Sequence, residues 1–230
     1  MSTSGPQTNF DDVDVAGLVT EKPLKLTATP EVVERVQCAI DANANADTDV
    51  IGMMATILST LGMDIEDPSM KRTPERFIKM LREYMQPFDP AVLLGTAFES
   101  SQSSSVVTQS DIPFSMLCEH HLMPAFGKAY IAYLPGDGRV VGLSKLARLV
   151  HSVGRERPYL QESINDRIAN LLKEHLKAQG VLVVIKAEHS CMTCRGVNTP
   201  GVITTTSMVK GAFRDVPHLR AEAFALLGLN

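Results

Sequence analysis

Cys118-Glu119-His120-His121 and His189-Ser190-Cys191 gather two thiols and three imidazoles into two short runs. Thiolate sulfur and imidazole nitrogen are the donors that zinc takes in a tetrahedral shell, and a catalytic zinc keeps one of its four positions for water. With Cys118, His121 and Cys191 on the metal, His120 and His189 remain for proton transfer. If residues 118–121 form a tight turn, the i and i+3 side chains converge; in an extended segment they point to opposite faces. Val181-Leu182-Val183-Val184-Ile185 reads as a strand. Continuing its alternation puts His189 and Cys191 on one face and Cys194 on the other.

These residues also have ordinary uses. A free Cys commonly packs as a small buried hydrophobe, and a single His is more often structural than ligating. A second metal reading includes Cys194. C-x-x-H at 118 to 121 with C-x-x-C at 191 to 194 spells a Cys3His shell, closed and structural, with no position left for water. Under that reading the chain is a non-catalytic zinc-stabilised oligomer or binding protein.

The elements that must position these groups follow from periodicity. Residues 1–29 are rich in Ser, Thr, Asp and Pro and read as a flexible extension, and a helix is expected after Pro30 through Val36 and Ile40. Val50, Met54, Ile57, Leu58 and Leu61 recur at helical spacing up to Gly62, a C-cap signal. Thr73-Pro74 marks a helix start, with Thr73 as N-cap, and Ser100 to Ser105 reads as a loop. Strands are expected at 106–108, near 114–117 and at 128–134, the last closed by the turn Pro135-Gly136-Asp137-Gly138 before Val140-Val141. Ser144 reads as the N-cap of a helix with Leu146, Leu149, Val150 and Val153 inward. A second helix runs from about Pro158 to Gln179 with Leu160, Ile164, Ile168, Leu171 and Leu172 inward, followed by strands at 181–188 and 202–209 and a helix through Leu219, Phe224 and Leu227. Strands, paired helices and strands again predict an α+β fold, an antiparallel sheet with paired helices on one face. The division expected is an extension over 1–29, a helical part over 30–95 and a mixed catalytic part over 96–230.

Composition narrows the classes. The chain has 230 residues, 44% hydrophobic and 21% charged, enough for a sizeable core. Four Cys without framework spacing, and no apolar run long enough for a membrane span, point to reduced thiols in the cytoplasm. A net charge of −4 argues against nucleic acid as partner. The basic residues are clustered instead: Lys71, Arg72, Arg76 and Lys79; Lys145 and Arg148; Arg155 and Arg157; and Arg195. With no G-x-x-x-x-G-K-[ST] run, phosphates could be held only by such scattered groups.

Several blocks in one order closely resemble the GTP cyclohydrolase I family. They are Cys118-Glu119-His120-His121-Leu122, Gly127-Lys128-Ala129, Ile131-Ala132-Tyr133-Leu134-Pro135, Gly142 to Arg148, Gln161-Glu162, His189-Ser190-Cys191-Met192, Arg195-Gly196-Val197 and Thr204-Thr205-Thr206-Ser207. The resemblance implies a tunnelling fold, in which subunit sheets join into a barrel, and a homodecamer of two stacked pentamers with active sites at subunit interfaces. It implies hydrolysis of GTP to 7,8-dihydroneopterin triphosphate and formate, at the start of folate or related pterin biosynthesis. Matched position by position, it implies Cys118, His121 and Cys191 as zinc ligands and His120 and His189 as catalytic histidines. Gln161 and Glu162 then receive the base, and Arg76, Ser144, Lys145, Arg148 and Arg195 hold the triphosphate. The chain departs from the family's usual pattern at Cys194, at Ser163 and at Asn198-Thr199.

Overall fold

The computed structural model describes residues 46–95, 97–99 and 105–229, so the extension over 1–29, the helix after Pro30 and most of the Ser-rich loop lie outside them. The chain divides into two compact units between Asp67 and Pro68. In the first, helix α1 spans Ala46–Thr60. It ends as Gly62 predicts: that residue takes φ +85°, Gly62 N–H donates to Ser59 O and Met63 N–H to Leu58 O. These two bonds satisfy carbonyls that the last helical turn would leave open.

In the second unit, α2 (Thr73–Glu83) and α3 (Pro90–Leu94) precede a short ribbon, in which β1 (Ala97–Glu99) pairs antiparallel with β4 (Arg139–Val141). Thr73 is not the cap. Arg72 occupies that position without a side-chain capping bond, and the Thr73 hydroxyl turns toward Met70 Sδ at 3.8 Å. Asp89, by contrast, caps α3 by accepting from Ala91 and Val92 N–H.

A four-stranded antiparallel sheet of β2 (Val107–Leu117), β3 (Pro124–Leu134), β5 (Gly180–His189) and β6 (Thr204–Gly211) is ordered β2-β3-β5-β6. The two short strands expected before residue 118 are one strand with an irregularity between Gln109 and Ile112, where Asp111 takes φ +55°. A bulge absorbs an extra residue without ending the ladder, which a pattern of short apolar runs does not reveal.

Helices α4 (Leu143–Glu156) and α5 (Gln161–Leu176) cover one face. Ser144 lies inside α4, whose cap position is Gly142, and Pro158 precedes α5 in a separate extended segment. Leu146, Leu149, Val150 and Val153 of α4 and Ile164, Ile168, Leu171 and Leu172 of α5 pack with Ala129, Ile131, Tyr133, Val181, Val183 and Ile185. Each such side chain contributes about 1.5–3 kcal/mol by leaving water, so truncating Leu172 to Ala would cost about 2–5 kcal/mol. The alternate residues Tyr130, Ala132, Leu182 and Val184 face the other way. There they meet Phe213 of α7 (Ala212–Asp215) and Ala223 of α8 (Pro217–Leu226), with Leu227 just beyond.

Candidate active site

Register brings the two chemical runs together. Leu117 pairs with Pro124 at the start of β3, and the next residue, Ala125, pairs with His189 at the end of β5. Cys118 and His189 therefore flank the same end of β3. Residues 118–121 form the tight turn that lets i and i+3 side chains converge. Leu122 N–H donates to Cys118 O at 2.8 Å, Cys118 N–H to Met123 O at 2.9 Å, and Leu122 closes the turn at φ +52°. That left-handed conformation is strained for a leucine, and such strain concentrates at functional sites.

The other run is positioned differently from the alternation expected of it. Strand β5 stops at His189, and Ser190–Thr193 wind into one helical turn, α6. The turn nonetheless delivers Cys191: donor atoms of Cys118, His121 and Cys191 all lie within 4.8 Å of one another. Cys194 stays outside that group, exposed, with its thiol donating to Ser190 O at 2.9 Å. Two thiols and an imidazole at this separation could hold a metal ion and are consistent with zinc. Burial and the neighbouring Cys118 sulfur push the Cys191 thiol up in the absence of a metal charge.

A cavity of about 430 Å³ opens over these donors, lined also by His120, Leu160, Gln161, Glu162, His189, Arg195 and Thr204. His120 is exposed, its ring edge-on to His121 with centroids 6.2 Å apart. His189 is 9% exposed; burial lowers its pKa from the usual value, and the Glu162 charge opposes that. Gln161 and Glu162 share the first turn of α5 but have different surroundings. Glu162 is exposed to the cavity, whereas Gln161 is 3% exposed and its amide is bonded to protein. The Gln161 Nε2 group donates to Ile185 O, Thr204 O and Thr206 Oγ1, and its Oε1 lies 2.7 Å from His189 Nε2.

The site is braced from behind: Tyr159 N–H donates to Leu117 O at 3.0 Å, and Glu119 N–H to Tyr159 O at 3.2 Å. Tyr159 Oη donates to Glu156 Oε2 at 2.6 Å, and Arg167 holds the same carboxylate through Nε and Nη2 at 3.2 and 2.8 Å. This brace was not among the sequence expectations, because no spacing rule links the end of one helix to the middle of the next. A second cavity of about 550 Å³ lies along it, and Glu162 lines both.

Comparison with known proteins decides the family. The family described as GTP cyclohydrolase I matches residues 51–228. A protein named GTP cyclohydrolase 1 from Listeria monocytogenes serotype 4b is 48% identical over 176 residues, 76% of this chain and 92% of that protein. The chain belongs to the GTP cyclohydrolase I family. A further GTP cyclohydrolase 1, from Carboxydothermus hydrogenoformans, is 45% identical over 174 residues, 75% of this chain and 90% of its own length. Among solved structures, an archaeosine synthase QueF-like protein in the apo form is similar at TM-score 0.38 and 18% identity, covering 49% of this chain and 97% of that one.

As an enzyme of the GTP cyclohydrolase I family, the chain gathers eight of its expected site residues at one cavity: Cys118, His120, His121, Gln161, Glu162, His189, Cys191 and Arg195. Arg76, Ser144, Lys145 and Arg148 do not line it. The packing of α4 explains the last three. His151 Nε2 donates to Pro113 O at 2.8 Å, and Gly154 lies so near β2 that a Cβ there would be 2.6 Å from Ser115 O. The C-terminal end of α4 is thus beside Cys118, and about 16 Å of helix separates Lys145 from Glu156 at that end.

Proposed function

We propose that the chain catalyses the zinc-dependent hydrolytic opening of the imidazole ring of GTP, with net consumption of one water, release of formate and formation of 7,8-dihydroneopterin triphosphate. The observation that carries this reading is the meeting of Cys118, His121 and Cys191 in the cavity that also holds His120, His189 and Glu162. Zinc held by the three donors would supply Lewis acidity and lower the pKa of water at the site.

The chain's own residues do the rest. Glu162 presents a carboxylate to the cavity, and a carboxylate accepts two hydrogen bonds from the N–H edge of guanine. His189, buried and of lowered basicity, gives a proton to the imidazole nitrogen of the base as the ring opens, and His120, exposed at the rim, exchanges protons with solvent. Arg195 is the one Lys or Arg in the cavity lining among the described residues, and a triphosphate needs more than one cation. Arg76, Lys145 and Arg148 supply them, with the Ser144 hydroxyl as a further donor, partly from neighbouring copies in a homo-oligomer, which we take to be the decamer of two stacked pentamers with sheets joined into a barrel. None of the described helices is long and apolar enough to cross a membrane. We place the enzyme in the cytoplasm, where thiol ligands stay reduced, and its product in tetrahydrofolate or related pterin biosynthesis.

The test is direct: incubate the purified zinc-loaded chain with GTP and assay formate together with a pterin that fluoresces after oxidation. Stoichiometric appearance of both is expected. Intact GTP, or phosphate release without formate, would overturn the assignment.

A further inference from the structure

Behind the cavity, a set of hydrogen bonds runs in one direction only. Asn165 of α5 is fully buried, and its Nδ2 donates to Val183 O at 3.4 Å. Its Oδ1 is therefore free to accept, and the Thr206 hydroxyl donates to it at 3.2 Å. Having given its single proton away, Thr206 Oγ1 accepts from Gln161 Nε2 at 3.0 Å. The same Nε2 faces two backbone carbonyls, Ile185 O at 3.1 Å and Thr204 O at 3.0 Å. A carbonyl cannot accept from an amide oxygen, so these partners fix which way round the Gln161 amide stands. Its Oε1 then lies 2.7 Å from His189 Nε2. That oxygen carries no proton, and the ring nitrogen must donate.

We propose that Gln161 is a positioning residue that holds His189 as its Nε2–H tautomer, so that His189 exchanges its proton with substrate through Nδ1. Nδ1 has no hydrogen-bond partner among the described residues, and the ring lines the cavity. The proposal rests on the hydrolytic reading above and deepens it. In that reaction the imidazolium releases the proton on Nδ1 to the imidazole nitrogen of the base, and the ring returns to neutrality with its Nε2 proton retained throughout. Nothing is transferred to Gln161, Thr206 or Asn165; they orient. The arrangement also separates two neighbours that look alike in sequence. Glu162 is left to meet the base, while the donors of the Gln161 amide are already occupied by Ile185, Thr204 and Thr206.

The decisive measurement needs no turnover. The full chain, purified with zinc and labelled with nitrogen-15 in histidine, is observed at about pH 8.5, some two units above the ordinary imidazole pKa. The His189 signals are assigned by their loss in His189→Ala. The expected spectrum has Nε2 at the protonated, pyrrole-type position and Nδ1 at the unprotonated, pyridine-type position. The reverse pattern in the unaltered protein would overturn the proposal. Gln161→Met, close in shape but without the amide, should lose the single-tautomer signature and lower kcat on GTP about 10- to 100-fold, with KM changed less than about threefold. A raised KM with kcat retained would instead make Gln161 a contact to the base and overturn the positioning role. If Gln161→Met does not fold, the spectrum of the unaltered chain still decides. A chain with the expected tautomer that leaves GTP intact would support the orienting network and overturn the proposed reaction.

Discussion

At the scale of residues, the proposed metal group depends on which donors a single turn can bring together. Ser190–Thr193 turn as a helix, so Cys191 reaches Cys118 and His121 while the Cys194 thiol bonds back to Ser190 O. Cys194→Ser should therefore retain one zinc per chain and at least about half of the turnover, because a serine hydroxyl keeps that backbone bond and no ligand is lost. Metal analysis checks this, and loss of stoichiometric zinc would restore the closed shell that includes Cys194. Glu162 gives a second residue-level expectation. Glu162→Gln keeps the shape of the side chain but puts an amide N–H against a donor edge, and a polar site with one wrong partner discriminates poorly. It should weaken GTP by about tenfold or more and erase the preference for GTP over ATP. Unchanged base preference in competition binding would remove Glu162 from that role. The grouping of Cys118, His120, His121, His189 and Cys191 at one cavity was legible in the sequence because such chemistry is carried by residue type at short spacing. The orienting role of Gln161 was not, since it depends on carbonyls of residues 185 and 204 that only the packing of α5 on β5 and β6 brings to it.

At the scale of elements, the site depends on how α4, the segment after it and α5 are tied. Glu156 closes α4, Arg167 lies in α5, and Tyr159 between them pairs with the backbone beside Cys118. Burial by itself would raise the Glu156 carboxyl, but hydrogen bonds from Arg167 and Tyr159 and the Arg167 charge hold it below its usual value. A carboxylate with a depressed folded pKa contributes stability that is present above its unfolded value, about 4.3, and is lost as pH falls through the folded value. Glu156→Gln should thus lower stability near neutral pH by about 1 kcal/mol, a modest figure because the pair is partly exposed. The gap to the unaltered chain should close below about pH 4. Urea midpoints at fixed protein concentration measure it, and a gap that persists unchanged into acid would show that the carboxylate charge is not what matters. The sheet and helix pair were visible in advance because alternation and the 3.6-residue repeat persist over whole elements. Their ends were less so. Thr73 and Ser144 look like caps, yet both sit inside helices whose starts are set by Pro74 and by the β4 ribbon just before Gly142.

At the scale of the whole molecule, one copy leaves the proposed reaction short of cations. Arg195 alone among the described Lys and Arg residues lines the cavity, and Lys145 stands about 16 Å of helix away from the end of α4 that approaches Cys118. The sheet also ends in two strands, β2 and β6, each paired on one side only among the described residues, and closing a ring of copies removes such edges. If a neighbour supplies Lys145 to the cavity that holds His189, a site draws on two chains and can be repaired by mixing. Lys145→Ala and His189→Ala homo-oligomers should each be nearly inactive on GTP. Dissociated in mild denaturant and reassembled together in equal amounts, they should recover about a quarter of the unaltered activity, since random pairing gives that share of interfaces with both residues intact. Sites built within one chain would recover nothing on mixing, because every chain carries one lesion. Recovery is read as formate released after removal of the denaturant, with each variant reassembled alone as the control, and its absence would return the triphosphate contacts to a single subunit.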